Sequence, residues 1–365
     1  MEEKVVTIVV LPYSRAIELK LRLEEEGVAC ELEDISLTEN AAASVKVKIS
    51  EKDLRVSVPV LDDFLGKRDE KLKKAEKSND HVLVPVDFSP VSLKTTKLAF
   101  SIASHLQVKL VLMHCYINPA IHSAPYADVY VYDTAMLARM EDSEKSANDN
   151  FAKFLQKLIA EIGREKWQSV DSEFIIKPGY ADEDILSFSR ENNSRVIVMG
   201  TGGEAELTMG SVTADVIYNA KVPVLVIPEG YPEKELPEFK RVLYATNFDS
   251  NDFVTINKLI GLLKPFDVKV FCVHVGKKER TDWDMARLEG MRKILSEKYE
   301  RKEFDCRFIP GEDILQTLQE FIDENNIDII SLTTRKRNMI SRLFNPSVAR
   351  KMVFHSKLPL LVFHA

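Results

Sequence analysis

The chain has 365 residues, of which 45% are hydrophobic and 29% charged, and its formal net charge is −7 at pH 7. This length predicts two or three domains that each bury a core, and the acidic balance argues against a protein that binds nucleic acid through a basic face. No apolar run approaches the ~18 residues of a membrane helix, and the acidic first residues do not resemble a signal peptide, so we expect a cytoplasmic protein without a membrane partner.

The N-terminal part of the chain predicts a small domain followed by a linker. Residues 1–65 contain an apolar strand, an amphipathic helix, a second strand and the strand "SVKVKIS", which together indicate an α+β domain. Residues 66–80 mix lysines with acidic residues and show no apolar periodicity. This composition predicts a solvated linker or a helix end rather than an arm that binds nucleic acid.

A repeat begins after this linker. The segment "HVLVPVDFSP" at 81–90 is echoed by "RVLYATNFDS" at 241–250. Three further pairs of segments keep the same order: 109–116 with 269–276, 178–201 with 310–334, and 221–228 with 357–364. Two copies of one unit therefore fill the rest of the chain. We place the first copy at 81–228, a linker at 229–239 and the second copy at 240–365.

Each copy alternates short strands rich in Val, Ile and Leu with amphipathic segments, which is typical of βαβ units around a parallel sheet. In the first copy the predicted strands lie near 81–86, 108–115, 171–177, 195–200 and 222–228, and the predicted helices near 91–105, 140–163, 182–193 and 211–220. The first copy also carries about 27 extra residues within 117–150. This insertion predicts a lid, a contact surface or a long helical lead-in.

A glycine-rich stretch, "MGTGGEAELTMGSVTADVI" at 199–217, follows an apolar run and precedes a predicted helix. Glycines after a strand let the backbone approach a ligand, and the first N–H groups of a helix attract anions. The stretch is therefore either a phosphate cradle or only a turn. Parallel sheets place ligand sites outside the carboxyl ends of their strands, and Asp87 and Gly200 both lie at such ends.

Histidines and cysteines give no metal signature. His114 and His274 each lie near the end of a strand without a Cys or carboxylate partner at metal spacing, so we interpret them as core or strand-end residues. The four cysteines stand far apart in sequence and form no C-x-x-C motif. They predict reduced core residues rather than a zinc site or a disulfide framework.

The order of these motifs resembles the universal stress protein family, in which a "PxD" motif ends the first strand and a G-x2-G-x9-G-S motif follows the fourth. The resemblance rests on "VPVDFS" at 84–89, "VIVMGTGG" at 196–203, "GSVTADVI" at 210–217 and "VPVLVIP" at 222–228. It implies an α/β fold with two tandem five-stranded parallel-sheet sandwiches, packed as a pseudo-dimer through their last strands, beside the N-terminal domain. We expect strands 222–228 and 357–363 to pair antiparallel.

The resemblance also implies an adenine-nucleotide site in the first copy. By position, Asp87 contacts adenine, Cys115 contributes backbone, and the remaining contacts are Met199, Gly200, Gly203, Gly210, Ser211 and Val212. The loop departs from the family pattern, because only six residues separate Gly203 from Gly210 and two of them are Glu204 and Glu206. We therefore expect weak binding of ATP, or of AMP, with magnesium, or no nucleotide at all.

The second copy departs further from the pattern. It reads Thr333-x2-Lys336-x9-Pro346-Ser347, without glycine, and Asn247 stands where the first copy has Asp87. Its loop is basic and precedes a predicted helix start. This pattern predicts either a solvated loop or a site for an inorganic anion formed by Arg335, Lys336 and Ser347.

Two functions remain open from the sequence. The first is a non-catalytic protein of stress response or signalling whose first copy binds an adenine nucleotide. The second is an interaction scaffold without nucleotide, which binds an unknown protein partner or a second copy of itself. A Walker A motif is absent and no pattern assigns a base to phosphoryl transfer, so we do not expect an enzyme.

Overall fold

The computed structural model describes residues 5–34, 44–61, 64, 80–117, 134–202, 210–232, 239–246, 250–276, 288–293, 295–296, 303–334 and 358–364. These residues form a three-stranded sheet near the N-terminus and a ten-stranded sheet in the remainder of the chain. One cluster of buried side chains belongs to the small sheet, and two larger clusters cover the two faces of the large sheet.

The N-terminal domain is an α+β unit, as predicted. It contains the strands β1 (Val5–Pro12), β2 (Cys30–Asp34) and β3 (Ser44–Ser50) and the helix α1 (Tyr13–Glu25). All pairing is antiparallel, and β3 lies between β1 and β2. In β3, Val47 and Ile49 are buried against α1, whereas Lys48 pairs with Glu33 on the other face. The alternation of apolar and charged residues therefore follows the strand period.

Residues 54–61 are helical, although the sequence "LRVSVPVL" alternates as a strand does and no element was predicted there. Pro59 has no N–H group to donate to a strand ladder, which disfavours a place inside a sheet. Ser57 instead donates its hydroxyl to the carbonyl of Asp53, at 2.7 Å, one helical turn earlier.

The first copy is a five-stranded parallel sheet with helices on both faces. Its strands are β4 (His81–Pro85), β5 (Lys109–Tyr116), β6 (Ser172–Pro178), β7 (Ser194–Gly200) and β8 (Val224–Ile227). Its helices are α2 (Pro90–Leu106), α3 (Thr134–Ile162), α4 (Arg164–Trp167), α5 (Ala181–Glu191) and α6 (Ser211–Asn219). Helix α3 begins six residues before its predicted start at 140, so part of the insertion is a helical lead-in.

The second copy repeats this sheet. Its strands are β9 (Arg241–Ala245), β10 (Lys269–Gly276), β11 (Glu303–Pro310), β12 (Ile329–Thr334) and β13 (Leu360–His364). Its helices include α7 (Ser250–Leu263) and α8 (Ile314–Asn325), and residues 288–293 are also helical. The strand order β11-β10-β9-β12-β13 matches the order β6-β5-β4-β7-β8 of the first copy.

The two copies join into one ten-stranded sheet through their last strands. β8 and β13 run antiparallel, with Leu225 opposite Leu361 and Val226 opposite Leu360. Every residue of β8 is buried. Both core clusters of the large sheet contain residues from both copies, because the apolar faces continue across this seam. The predicted antiparallel pairing of the final strands is confirmed.

Candidate functional site

A cavity of about 250 Å³ lies at the carboxyl ends of β4, β5 and β7. Of the residues that the family resemblance assigns to a nucleotide, seven line it: Asp87, Cys115, Met199, Gly200, Gly210, Ser211 and Val212. Gly203 lies outside the described residues, as do Glu204 and Glu206. The fold therefore gathers in one place the described positions that the sequence distributes over separate strand ends.

Asp87 is held by the turn that joins β4 to α2. Its Oδ1 accepts the N–H of Ser89 at 3.0 Å and the Ser89 hydroxyl at 2.6 Å. Ser89 in turn caps α2, since its hydroxyl oxygen accepts the N–H of Ser92 at 3.1 Å, and Pro90 takes the first helical position. Phe88 adopts a left-handed φ of 65° within this turn. The exposed carboxylate of Asp87 is thus fixed in orientation.

Two glycines of the predicted motif are required by close packing. A Cβ atom on Gly200 would lie 2.6 Å from Cγ1 of Val91, and one on Gly210 would lie 2.2 Å from the carbonyl oxygen of Gly202. The Gly210 N–H donates to the carbonyl of Thr201 at 3.0 Å. The backbone on one side of the glycine-rich loop is therefore in direct contact with the backbone on the other side, which a side chain would prevent.

Helix α6 begins at the cavity wall. Gly210 is its N-cap residue, and Ser211, Val212 and Thr213 line the cavity. The Thr213 hydroxyl donates to the carbonyl of Gly200 at 3.0 Å, which ties the start of the helix to the end of β7. The first N–H groups of a helix have no partner within it and favour a nearby anion by about 0.3–1 kcal/mol. This end of the cavity is the favourable place for a negatively charged group.

His114 and Cys115, at the end of β5, supply no charge to the cavity at neutral pH. His114 donates from Nδ1 to the carbonyl of Val86 at 2.8 Å, and its ring centroid lies 4.2 Å from that of Phe88. Burial lowers the pKa of His114 below its usual value, so the imidazole is neutral. Burial raises the pKa of Cys115 to about 12, so the thiol keeps its proton. The interpretation of His114 as a strand-end residue is confirmed.

Asp87 is the one charged side chain among the described residues that line the cavity, and neither lysine nor arginine occurs among them. The cavity therefore offers a carboxylate to hydrogen-bond donors and a helix start to an anion, within walls formed largely by apolar side chains. Gly202 and Thr213 also line the cavity, although neither was predicted from the sequence as a site residue. Thr213 could have been predicted from its place in the first turn of α6, three residues after the N-cap residue Gly210.

The second copy fills the corresponding positions with buried polar side chains. Thr246 and Thr333 stand where the first copy has Val86 and Gly200 in the cavity wall, as the strand registers show. Asp252 of α7 stands where α2 has Ser92, at the same sequence offset that relates Thr246 to Val86. All three are buried. Asp252 accepts the Tyr244 hydroxyl at 2.9 Å and the Thr246 hydroxyl at 2.7 Å, and Thr333 lies 2.8 Å from the Tyr244 oxygen. Hereafter we call these four side chains the Tyr244 network: Tyr244, Thr246, Asp252 and Thr333.

The anion site predicted in the second copy falls on Arg335, Lys336 and Ser347, which lie outside the described residues, as does Asn247. That site stays a prediction. His274, the counterpart of His114, makes the same contact as His114: its Nδ1 lies 2.8 Å from the carbonyl oxygen of Thr246. The strand-end histidine is therefore a shared structural element of the two copies.

Comparison with known proteins agrees with this architecture. A model of the universal stress protein family matches residues 78–228 and 238–364. The chain belongs to the universal stress protein family. A universal stress protein of Methanocaldococcus jannaschii is 26% identical over 167 residues, which make up 45% of this chain and 89% of that protein.

A solved structure of a universal stress protein shares the fold. The match to a universal stress protein from Archaeoglobus fulgidus covers 79% of this chain and 97% of that chain, with 17% identity and a TM-score of 0.57. A structure of a universal stress protein in complex with cAMP matches 40% of this chain and 96% of its own, with 22% identity and a TM-score of 0.30. The two separate matches of the family model show a tandem arrangement of two family domains in one chain.

The described residues lack both a metal-ligand cluster and a membrane-spanning helix. No group of three or more His, Cys, Asp or Glu side chains in that part of the chain is arranged to hold a metal ion. In the same part, no helix combines the length and apolar character that crossing a membrane requires.

Proposed function

We propose that this universal stress protein acts without catalysis in stress response or signalling, and that its first copy binds an adenine nucleotide with few phosphate groups. The observation that carries the proposal is the cavity at the ends of β4, β5 and β7. There, a fixed carboxylate at Asp87 and the start of α6 both line a largely apolar wall.

The geometry of Asp87 favours a ligand with hydrogen-bond donors. Oδ1 is engaged by Ser89, whereas Oδ2 lies 3.6 Å from the position that a Cβ atom on Gly202 would take. Oδ2 is therefore the acceptor nearer the glycine-rich backbone. This oxygen can accept a hydrogen bond from the exocyclic amine of adenine, and the faces of the base can pack against the apolar wall.

Charge argues for a small number of phosphates. A helix start stabilises an anion by about 0.3–1 kcal/mol, and by at most about 2 kcal/mol when partly buried. The Asp87 carboxylate also repels a phosphate, by about 2 kcal/mol per unit charge at a separation of about 10 Å and an effective dielectric of about 20. Because no lysine or arginine occurs among the described lining residues, each added phosphate contributes little favourable binding free energy. The cavity volume of about 250 Å³ is also small for a triphosphate.

The described lining residues also favour binding without chemistry. The His114 imidazole uses one nitrogen on the Val86 carbonyl, and burial keeps the Cys115 pKa near 12. Neither group is prepared as a base or a nucleophile at neutral pH. A non-catalytic role is therefore the proposal that these side chains support.

Titration calorimetry tests the proposal. AMP, cAMP and ATP are titrated into the full-length protein, each with and without magnesium. We expect AMP to bind with a dissociation constant below about 100 μM, equivalent to about −5.5 kcal/mol, and ATP to bind more weakly. Tighter binding of ATP than of AMP would contradict the charge argument.

Asp87→Asn serves as the site variant, because its amide oxygen keeps an acceptor for Ser89 while its amide nitrogen puts a donor where Oδ2 would accept the adenine amine. Asp313→Asn is the matched control, since Asp313 is an exposed carboxylate that caps α8 through the N–H groups of Leu315 and Gln316, away from the cavity. We expect Asp87→Asn to weaken AMP binding at least tenfold and Asp313→Asn to leave it unchanged.

A nucleotide-free scaffold is the second candidate, and the Tyr244 network favours it. The second copy completes its core at the equivalent positions with its own side chains, so the fold stands without a ligand there. If no adenine nucleotide binds the wild-type protein, this function replaces the first. Its test is then the capture of a protein partner by the full-length chain, compared with capture by a chain lacking residues 1–65.

A further inference from the structure

Cys272 and Cys306 stand directly opposite each other on the neighbouring strands β10 and β11. Opposite residues of paired strands point to the same face of a sheet, so the two side chains are neighbours. Both belong to the same buried cluster, and their exposed fractions are 0% and 2%. In the sequence 33 residues lie between them, and no C-x-x-C motif joins them.

The spacing of the strands suits a covalent bond between the two sulfurs. Neighbouring strands lie about 4.8 Å apart, and the Cα atoms of disulfide-bonded cysteines are about 4.4–6.8 Å apart. Both cysteines are free thiols in this structure. The pair can therefore be bridged without moving either strand far.

The thiols are also chemically unequal. A hydrogen bond donated by the Cys272 thiol to the Cys306 sulfur lowers the pKa of Cys306 and raises that of Cys272. Arg292, whose Nη2 donates to the Cys306 carbonyl at 2.7 Å, adds a positive charge that favours the Cys306 thiolate. Cys306 is thus the better nucleophile of the two.

The first copy shows that the fold does not require this pair. At the same register, β5 places Leu112 opposite Phe174 of β6. Phe174 packs its ring against Phe151 and Trp167, with centroids 5.4 and 6.2 Å apart. An apolar pair therefore satisfies the same place in the sheet, and the two thiols are a property of the second copy.

We propose that Cys272 and Cys306 form a reversible disulfide when the protein meets a hydroperoxide. The Cys306 thiolate attacks a peroxide oxygen, which forms an S–O bond and breaks the O–O bond, and the departing oxygen takes a proton. Cys272 then loses its proton and attacks the Cys306 sulfur, which forms the S–S bond and releases water. The two cysteines give up two electrons and two protons, and the peroxide is reduced to water and an alcohol, or to two waters for hydrogen peroxide.

The position of β11 provides the route to these buried sulfurs. Among the described strands, β11 is the outermost of the ten-stranded sheet and pairs with β10 alone. Local opening of this edge breaks one ladder, whereas an inner strand would have to break two. The disulfide would fasten this edge strand to its neighbour.

The test uses the full-length Cys30→Ala/Cys115→Ala variant, which keeps only the two thiols of the proposal. After treatment with hydrogen peroxide, we expect loss of both free thiols, an intact mass lower by two hydrogen atoms, and one cross-linked peptide containing both cysteines. Dithiothreitol should restore both thiols. Persistence of both thiols under native conditions, or a gain of oxygen without a cross-link, would overturn the proposal.

Two further measurements keep the test independent of any single variant. Peptide mapping of the oxidised wild-type protein should find the Cys272–Cys306 link, while Cys30 and Cys115 stay unlinked because burial raises their pKa to about 11 and about 12. In Cys306→Ser, Cys272 should stay a free thiol at the same peroxide concentration. Equal oxidation of Cys272 in that variant would contradict the assigned roles.

Discussion

The hydroxyl of Tyr244 donates a hydrogen bond to the carboxylate of Asp252, with 2.9 Å between the two oxygens. Tyr244 is completely buried and Asp252 is 5% exposed. Burial, and then the charge of Asp252, raise the pKa of Tyr244, so the phenol keeps its proton and remains a donor. A carboxylate inside the second copy is thus stabilised by hydroxyl groups at positions where the first copy has apolar or small residues.

Tyr244→Phe should destabilise the protein by about 1–3 kcal/mol, because it removes a donor from a buried carboxylate. The measurement is unfolding in urea, monitored by a spectroscopic probe that is attached to the second copy. Tyr218→Phe is the matched control, since Tyr218 is 48% exposed, and it should change stability little. Equal stability of the two variants would show that the network contributes nothing.

Two glycine substitutions should change different properties of the protein, one the affinity for AMP and the other the stability. Gly210→Ala places a Cβ atom 2.2 Å from the Gly202 carbonyl and should displace the loop and weaken any AMP binding at least tenfold. Gly261→Ala meets open space inside α7 and should stabilise the protein by up to about 1 kcal/mol. Titration calorimetry measures the AMP affinity of Gly210→Ala, and thermal unfolding measures the stability of Gly261→Ala. Normal AMP affinity in Gly210→Ala would contradict the close packing described above.

Stability should fall with acidification through two histidines. Burial lowers the pKa of His114 and of His364 below their usual 6.5, so the unfolded chain takes up protons first as the pH falls. The contribution of the two histidines to the free energy of unfolding is complete above about pH 6.5. It is lost as the pH falls from about 6.5 towards the lower pKa values of the folded protein.

A double variant checks this assignment. His114→Asn retains a donor for the Val86 carbonyl, and His364→Gln retains one for the Ile217 carbonyl, 2.6 Å from the His364 Nε2. Neither amide titrates. Unfolding measured from about pH 7 to about pH 5 should show a flatter dependence on pH in the double variant than in the wild type. An unchanged slope would assign the acid sensitivity to other groups.

Cleavage between the two copies should not separate them. A protease site that replaces residues 233–238 allows the chain to be cut after folding. We expect both fragments to elute together in gel filtration, because β8 pairs with β13 and His105 stacks on Phe266 with ring centroids 4.9 Å apart. The matched control carries Val226→Asp in the seam and should separate. Separation of the fragments without that substitution would contradict the seam.

Much of the fold could be predicted from the sequence because the repeat supplied two independent records of one pattern. The strand ends at Asp87 and Gly200 were predicted from apolar runs followed by turn residues, and the final strands from "VPVLVIP" and its echo. Residues 54–61 were not predicted, since alternating valines are typical of strands and the local hydrogen bond of Ser57 is invisible in the sequence.

The candidate site could be predicted only where family motifs marked it. The polar network of the second copy needed the strand registers, because Tyr244, Asp252 and Thr333 come from three separate elements and no motif joins them. For the same reason, the sequence did not predict that Cys272 and Cys306 are neighbours. Their contact depends on which strand follows which in the sheet, and periodicity carries no information about that order.

Joining both halves in one polypeptide removes the symmetry that a homodimer imposes on its interface. In a homodimer every substitution appears twice, so a change that fills one cavity fills the other as well. Here Gly200 and Thr333 occupy equivalent positions, and each changes alone. One half can therefore alter what it binds while the other half, fastened across β8 and β13, keeps the shared core intact.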